Sequence, residues 1–255
     1  MASRYLNLEQ LEEGDCLYHY TKGTSLMNIL ATNAIFATRS SFLNDTNEMA
    51  YILQVIRDVI EEISKQQWRD LLTQQVVGGL ENFRRHDCFV LSFSTDGDSI
   101  TLWAEFGDRT GYSIAFDGIE LISRIGKNQE IYCHGYVIYS EEKQRSIIRQ
   151  LLTDSLPRKA GTSFEELMED AASGKNKDPF EQLCRRLKKI LSTYALFFKQ
   201  EEFAPEREYR LVFRDPDKDR ILFREKDGFL LPYIEIGTGD CMPITSVTVA
   251  PQEAR

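Results

Sequence analysis

One segment predicts the kind of sheet that this chain builds: Phe203-Ala204-Pro205-Glu206-Arg207-Glu208-Tyr209-Arg210-Leu211-Val212-Phe213. Successive side chains of a strand point to opposite faces of the sheet. One face therefore carries the apolar row Tyr209, Leu211 and Phe213. The other carries the charged row Glu206, Glu208 and Arg210. The apolar row predicts contact with a core, so the charged row is either a solvated face or the wall of an active site, with Glu208 facing a cleft.

The spacing of apolar residues divides the rest of the chain into strands and helices. Alternation predicts strands at residues 15–21, 35–38, 88–94, 111–116, 131–139, 206–213, 220–224, 229–236 and 246–249. Helical spacing predicts helices at residues 25–32, 49–63, 67–85, 99–106, 141–156, 163–172 and 180–202. Because the helices between strands are unequal in length, we expect an α+β fold. It should have a mixed, largely antiparallel sheet flanked by long amphipathic helices. We expect one domain over residues 1–255, with a helical insert at about 141–202.

Composition limits the class of protein. A chain of 255 residues, 42% of them apolar, can bury a substantial core. The net charge of −9 argues against non-specific nucleic-acid binding. No apolar run approaches the roughly 20 residues that span a bilayer, and the first ten residues lack the apolar core of a secretory signal. The five cysteines are widely spaced without a C-x-x-C pair, which predicts reduced thiols. We therefore expect a soluble cytoplasmic protein with no membrane partner.

Several common enzyme signatures are missing from the sequence. It contains no G-x-G-x-x-G, G-x-x-x-x-G-K-[ST], H-E-x-x-H or G-x-S-x-G motif. The three histidines, at positions 19, 86 and 134, are too scattered for a histidine-rich metal site. Rossmann dehydrogenases, P-loop NTPases, zincins and α/β-hydrolases are therefore excluded as interpretations.

Polar residues on predicted strands are the remaining candidates for a site. His19 and Thr21 share one face of the first strand, and Ser92 and Ser94 share one face of the strand at 88–94. Each has a purely structural alternative: His19 can be satisfied by a backbone carbonyl, and serines at strand ends often open a turn. Trp103 is expected in the core rather than against a ligand.

The order of these segments resembles a bacterial family of unknown function that is found near phage-defence genes. The resemblance rests on L-Y-H-Y-T at 17–21, N-D-x-x-E at 44–48, Phe93-Ser94, the stretch from Trp103 to Tyr112 and E-x-E-Y-R-L at 206–211. Members of that family usually continue past a strand similar to 247–251 into a final helix and strand. The resemblance therefore implies that this chain is a short variant or a truncated form.

The order of motifs is also similar to that of ADP-ribosyltransferases, which implies NAD as substrate. On this resemblance Glu208 would be the catalytic glutamate and Glu206 would position the acceptor, whose identity is open. The NAD-binding residues would be His19, Tyr20, Thr21, Ser92, Ser94 and Arg210. A fixed carboxylate near the anomeric carbon would stabilise the positive charge that develops there as nicotinamide leaves.

Two other classes of function fit the same residues. A Mg²⁺-dependent nuclease or phosphohydrolase could use Asp45, Glu48, Glu206 and Glu208 as oxygen ligands. Alternatively, the protein is a non-catalytic sensor or binding protein of a defence system, with solvated polar strand faces. Convergence of His19, Ser94 and Glu208 on one cleft would favour the transferase hypothesis, whereas convergence of Asp45, Glu48 and Glu208 around a cation would favour the metal enzyme.

Overall fold

The computed structural model describes residues 6–43, 48–80, 88–107, 111–175, 177–214, 216–226, 228–239 and 241–251. Its strands are β1 (Cys16–Thr21), β2 (Ala34–Arg39), β3 (Cys88–Ser94), β4 (Tyr112–Asp117), β5 (Cys133–Tyr136), β6 (Glu208–Arg214), β7 (Leu222–Lys226), β8 (Phe229–Gly237) and β9 (Ile244–Val249). Its α-helices are α1 (Gly23–Thr32), α2 (Glu48–Ile63), α3 (Gln66–Leu72), α4 (Ile100–Leu102), α5 (Gly118–Asn128), α6 (Glu141–Gln150), α7 (Leu156–Ala160), α8 (Phe164–Ala172) and α9 (Lys177–Tyr194).

The nine strands form one sheet, in which the order along the main path is β7-β8-β2-β3-β1-β4-β9. β6 pairs with β3, and β5 pairs with β6. All of these ladders are antiparallel. The predicted α+β fold with a largely antiparallel sheet is confirmed, and the first strand, the strand at 88–94 and the late strand belong to this sheet.

Both faces of the sheet's centre are covered, whereas strands with one apolar and one polar face are typical of a sheet covered on one side. Phe89, Leu91 and Phe93 of β3 lie in a core with side chains of α1 and α5. Val90 and Cys88, which point the other way, lie in a second core with α2, α3 and α6–α9. The helices between residues 141 and 194 thus share a core with α2 and α3. The single-domain organisation with an insert at 141–202 stays a prediction.

β1 and β2 pair with the same edge of β3 but at its two ends. The other edge of β3 is fully paired with β6, from Cys88↔Arg214 to Ser94↔Glu208. On the first edge β2 pairs at Phe89 and Val90, whereas β1 pairs at Ser94. Between these points the two strands diverge, so residues 91–93 have no ladder partner on that edge among the described strands. We call this gap the fork.

Three elements differ from the sequence predictions. Glu206 ends a 3₁₀ turn (Glu201–Glu206), and Arg207 adopts a left-handed conformation (φ 45°) before β6 begins at Glu208. The predicted strand row was therefore wrong for Glu206. Helix α9 ends at Tyr194, not at 202, and α5 was not predicted. No helix of the described ranges is both long and apolar enough to cross a membrane.

Some predictions fall outside the described residues. The N-D-x-x-E segment at 44–48 is described only as the backbone start of α2 at Glu48, so its acidic side chains are not placed. The helix predicted at 67–85 corresponds to α3 followed by a π-helical turn (Thr73–Val77), and residues 81–85 are outside the description.

Candidate functional site

A pocket of about 440 Å³ lies in the fork. All predicted site residues line it: Glu206, Glu208, His19, Tyr20, Thr21, Ser92, Ser94 and Arg210. Pairing of Tyr18 with Ser94 puts Ser92 and Ser94 on one face of the sheet and His19 on the other. In a continuous sheet these side chains would be separated by the sheet itself. The fork is what allows both faces to contribute to one pocket.

Glu208 forms a buried ion pair with Arg210. Arg210 Nε lies 3.0 Å from Glu208 Oε1, and Nη2 lies 2.7 Å from Oε2. Only 9% of Glu208 and 2% of Arg210 is exposed, which excludes the solvated face as an interpretation of this row. Burial alone would raise the pKa of the Glu208 carboxyl, but Arg210, with help from Lys199 and Ser92, lowers it to about 2. Glu208 is therefore ionised at neutral pH.

Glu206 lies beside Glu208 but is in a different electrostatic environment. Lys199 Nζ is 2.7 Å from Glu206 Oε2 and 3.6 Å from Glu208 Oε2. Burial raises the pKa of the Glu206 carboxyl; Lys199 opposes this, and the charges of Glu208 and Glu105 add to it. The two carboxyl groups thus have pKa values shifted in opposite directions, an arrangement typical of acid–base pairs. We call Lys199, Glu206, Glu208 and Arg210 the carboxylate end of the pocket.

The two serines support the carboxylate end rather than simply lining it. The Ser94 hydroxyl donates to the Glu206 carbonyl at 2.7 Å and accepts from the Asp96 backbone N–H at 3.0 Å. Ser94 therefore holds the turn that carries Glu206, so the turn-opening alternative applies to it. Ser92 lies opposite Arg210 in the ladder, and its hydroxyl hydrogen-bonds to the Glu208 carboxylate.

His19 and Thr21 of β1 are both at the pocket, in different environments. His19 contacts the edge of Phe93, with ring centroids 5.9 Å apart. Burial lowers the pKa of His19 to about 4; a hydrogen bond with the Ser92 backbone opposes this, and Arg224 adds to it. The imidazole is therefore neutral at pH 7. Thr21 is buried at the pocket wall.

Tyr20 has a structural role that the sequence did not reveal. Its hydroxyl donates to the Asp96 carbonyl at 2.7 Å and accepts from the Ser99 backbone N–H at 2.9 Å. Its ring packs edge-on against Trp103, with centroids 4.8 Å apart. Trp103 is buried, as predicted. Tyr20 lines the pocket, but its hydroxyl already donates one hydrogen bond and accepts another within the protein.

Arg224 lies at the opposite side of the pocket, on β7, and sequence reasoning missed it. Its Nη2 donates to the Thr38 hydroxyl at 3.0 Å. Its guanidinium carbon lies 5.8 Å from the centre of the Phe36 ring and 5.9 Å from that of Tyr233. These two rings contact each other, with centroids 4.3 Å apart. We call Arg224, Thr38, Phe36 and Tyr233 the arginine end.

Lys199 and Tyr139 were also missed as site residues. Helical periodicity continued through Phe197 and Phe198, so Lys199 resembled the solvated residue of a helix. In the structure the helix ends earlier and Lys199 is 8% exposed. The Tyr139 hydroxyl accepts from the Glu208 backbone N–H at 3.0 Å, a long-range contact with no sequence signal.

The metal-enzyme alternative gains no support from the placed side chains. Asp45 is outside the described residues, and the side chain of Glu48 is not placed. The described ranges contain no group of three or more histidine, cysteine, aspartate or glutamate side chains that could hold a metal ion. The carboxylates of Glu206 and Glu208 are instead in contact with cationic side chains.

Comparison with known protein families gives a match over part of the chain. Residues 102–211 are similar to a family described as "Protein of unknown function (DUF2971)". The match runs from α4 into β6, so it includes Lys199, Glu206, Glu208 and Arg210 but not His19, Ser92 or Arg224. No curated protein and no solved structure matches the chain. Function must therefore be argued from the site.

Proposed function

We propose that the fork pocket binds NAD and that the protein is an ADP-ribosyltransferase. The observation that supports this most directly is the convergence on one pocket of all residues to which the resemblance gives a role. A volume of about 440 Å³ is within the range of roughly 300 to 1,000 Å³ that is usual for small-molecule sites. From the resemblance, we extend the proposal to a cytoplasmic protein of phage defence that modifies an acceptor of unknown identity.

The chemistry supplied by NAD is cleavage of the bond between the nicotinamide nitrogen and the ribose, whose electron pair leaves with nicotinamide while the acceptor takes the ADP-ribose. Glu208 contributes a negative charge that Arg210 keeps ionised and fixed in position. Such a preorganised charge stabilises the developing positive charge more than it stabilises the ground state. Glu206, whose pKa is raised, takes the proton that the acceptor loses. Neutral His19 can hydrogen-bond a ribose hydroxyl.

Substitutions of Glu208 and of His19 should separate an effect on turnover from an effect on NAD affinity. Glu208→Gln should lower nicotinamide release by about 10²- to 10³-fold while NAD still binds, because the amide removes the charge but keeps the size. His19→Ala should chiefly weaken NAD binding. The measurements are release of labelled nicotinamide and calorimetric titration with NAD, at a temperature where each variant is folded. Glu165→Gln, an exposed carboxylate on α8, is the matched control.

Failure of wild-type protein to bind millimolar NAD would remove the proposal. A second candidate, a non-catalytic sensor, is favoured by one observation: both carboxylate oxygens of Glu208 already accept hydrogen bonds from Arg210. A sensor would bind NAD or a related ligand without releasing nicotinamide. Binding with no release, in the presence of candidate acceptors and in wild-type protein, would therefore replace the transferase with the sensor.

A further inference from the structure

The positive charge of Arg224 is not neutralised by a carboxylate in the described part of the structure. Arg224 donates a hydrogen bond to the Thr38 hydroxyl. Its Nε is inaccessible to solvent and has no hydrogen-bond partner among the residues that the structure describes. Burial lowers the pKa of Arg224, Tyr233 opposes this, and no carboxylate of the described residues contributes. A partly buried guanidinium without an anion is unfavourable for the folded protein, so its retention needs another explanation.

At the carboxylate end of the same pocket, the positive charge of Arg210 is neutralised by a carboxylate. Arg210 has both oxygens of Glu208 and the Leu196 carbonyl as acceptors. The carboxylates at that end are in contact with Lys199 and Arg210. The described residues therefore neutralise the arginine at one end of the pocket, and they supply no carboxylate to the guanidinium at the other end.

The surroundings of Arg224 fit an oxyanion of the phosphate type. A guanidinium presents two parallel N–H donors that match two oxygens of a phosphate group. The guanidinium carbon lies over the rings of Phe36 and Tyr233, and these contacts restrict the side chain, which reduces the entropy lost on binding. The Thr38 hydroxyl accepts from Arg224 and keeps its own proton for an anion. Lys226, two residues further along β7, lines the same pocket.

We propose that Arg224 and Thr38 form a phosphate subsite at the arginine end, which binds the phosphate or pyrophosphate group of the ligand. This deepens the proposed function, since NAD carries a pyrophosphate between its two nucleoside halves. The subsite itself requires only a phosphate-bearing ligand. Inorganic pyrophosphate and ADP are therefore suitable probes, because neither has a nicotinamide bond to cleave.

The test is calorimetric titration of the full chain with pyrophosphate, ADP and adenosine. Wild-type protein should bind pyrophosphate or ADP, and Arg224→Gln should weaken that binding by about 10- to 100-fold, as expected for charge-assisted hydrogen bonds. Tighter binding of ADP than of pyrophosphate would identify a nucleotide as the phosphate source. Adenosine, which lacks phosphate, should bind wild type and variant alike. Arg220→Gln removes the same charge from an exposed residue outside the pocket, so it should leave the affinities unchanged.

Weaker binding by Arg224→Gln could also result from a folding defect. Arg224→Lys controls for this, because it keeps the positive charge and loses only the forked pair of donors. We expect it to have an affinity between those of wild type and Arg224→Gln. Equal ADP and pyrophosphate affinities in wild type and Arg224→Gln, or no binding of either probe by wild type, would overturn the subsite. Binding that depends on Arg224 in a protein that never releases nicotinamide would support the subsite and reject the transferase. Nicotinamide release with no dependence on Arg224 would do the reverse.

Discussion

The two ends of the fork pocket each contain an arginine, but the two arginines differ in what surrounds them. Arg210 is 2% exposed and is paired with Glu208 inside the sheet's core. Arg224 is on an outer strand of the sheet, lies over two aromatic rings and makes no ion pair with a described residue. The difference separates a cation that the folded protein requires from one that a ligand would use. Five substitutions test that separation.

The largest loss of stability should come from truncating Arg210, with the same truncation of Arg224 as the comparison. Arg210→Met leaves Glu208 buried without its guanidinium, so we expect a loss of about 3 to 5 kcal/mol in the free energy of unfolding. Arg224→Met removes a charge that no described carboxylate neutralises, so the change should be less than about 1 kcal/mol. Urea unfolding followed by circular dichroism measures both. Equal losses would show that the two ends do not differ as described.

Because His19 is buried, the free energy of unfolding should depend on pH in the acid range. The pKa of His19 is lowered from 6.5 to about 4 in the folded protein. The unfolded chain therefore binds the proton first, and stability falls as pH drops from about 6.5 to about 4. The loss attributable to His19 is at most about 3 kcal/mol, and His19→Gln should remove it. The measurement is the free energy of unfolding as a function of pH.

Arg224→Met is the informative control for this pH dependence. Burial is the main cause of the lowered pKa of His19, and Arg224 is a minor one. The variant should therefore keep most of the slope between pH 6.5 and 4. A slope that vanished with Arg224→Met would mean that charge repulsion, not burial, controls His19.

The smallest difference in stability is expected between substitutions of the two glutamates at the carboxylate end. A glutamate on a solvated strand face could be replaced by glutamine with little change in melting temperature. Because Arg210 holds both oxygens of the Glu208 carboxylate, we expect Glu208→Gln to destabilise the protein by about 1 to 3 kcal/mol. Glu206→Gln should change stability by less than about 1 kcal/mol, since burial already disfavours the charged form of Glu206. Thermal melts of the pair would contradict this if Glu206→Gln were the more damaging substitution.

The strands and long helices could be predicted because their apolar periods are local. β3 lies at the predicted residues, and α2 follows the predicted apolar stripe. Helix α5 also had a local signal that was overlooked. Asp117 accepts a hydrogen bond from the Glu120 backbone N–H as an N-cap, and Leu121 and Ile125 then form the buried face.

The site could be predicted only in part, because strand alternation gives the face of a residue but not its partners. Glu208 and Ser92 were identified from their own strands. The fork was not, since it depends on where β1 and β2 leave β3. Lys199 was missed because helical periodicity ran past the true helix end. Arg224 was missed because a charged residue on an outer strand resembles an ordinary solvated one.

The fork also has a mechanical consequence. β2, β8 and β7 form one wing of the sheet, and β1, β4 and β9 form the other. Two residue pairs join the first wing to β3, and one pair joins the second. The sheet is therefore least stiff across the pocket. A ligand that spans the fork would contact both wings, so its binding free energy would add to the stability of the folded sheet.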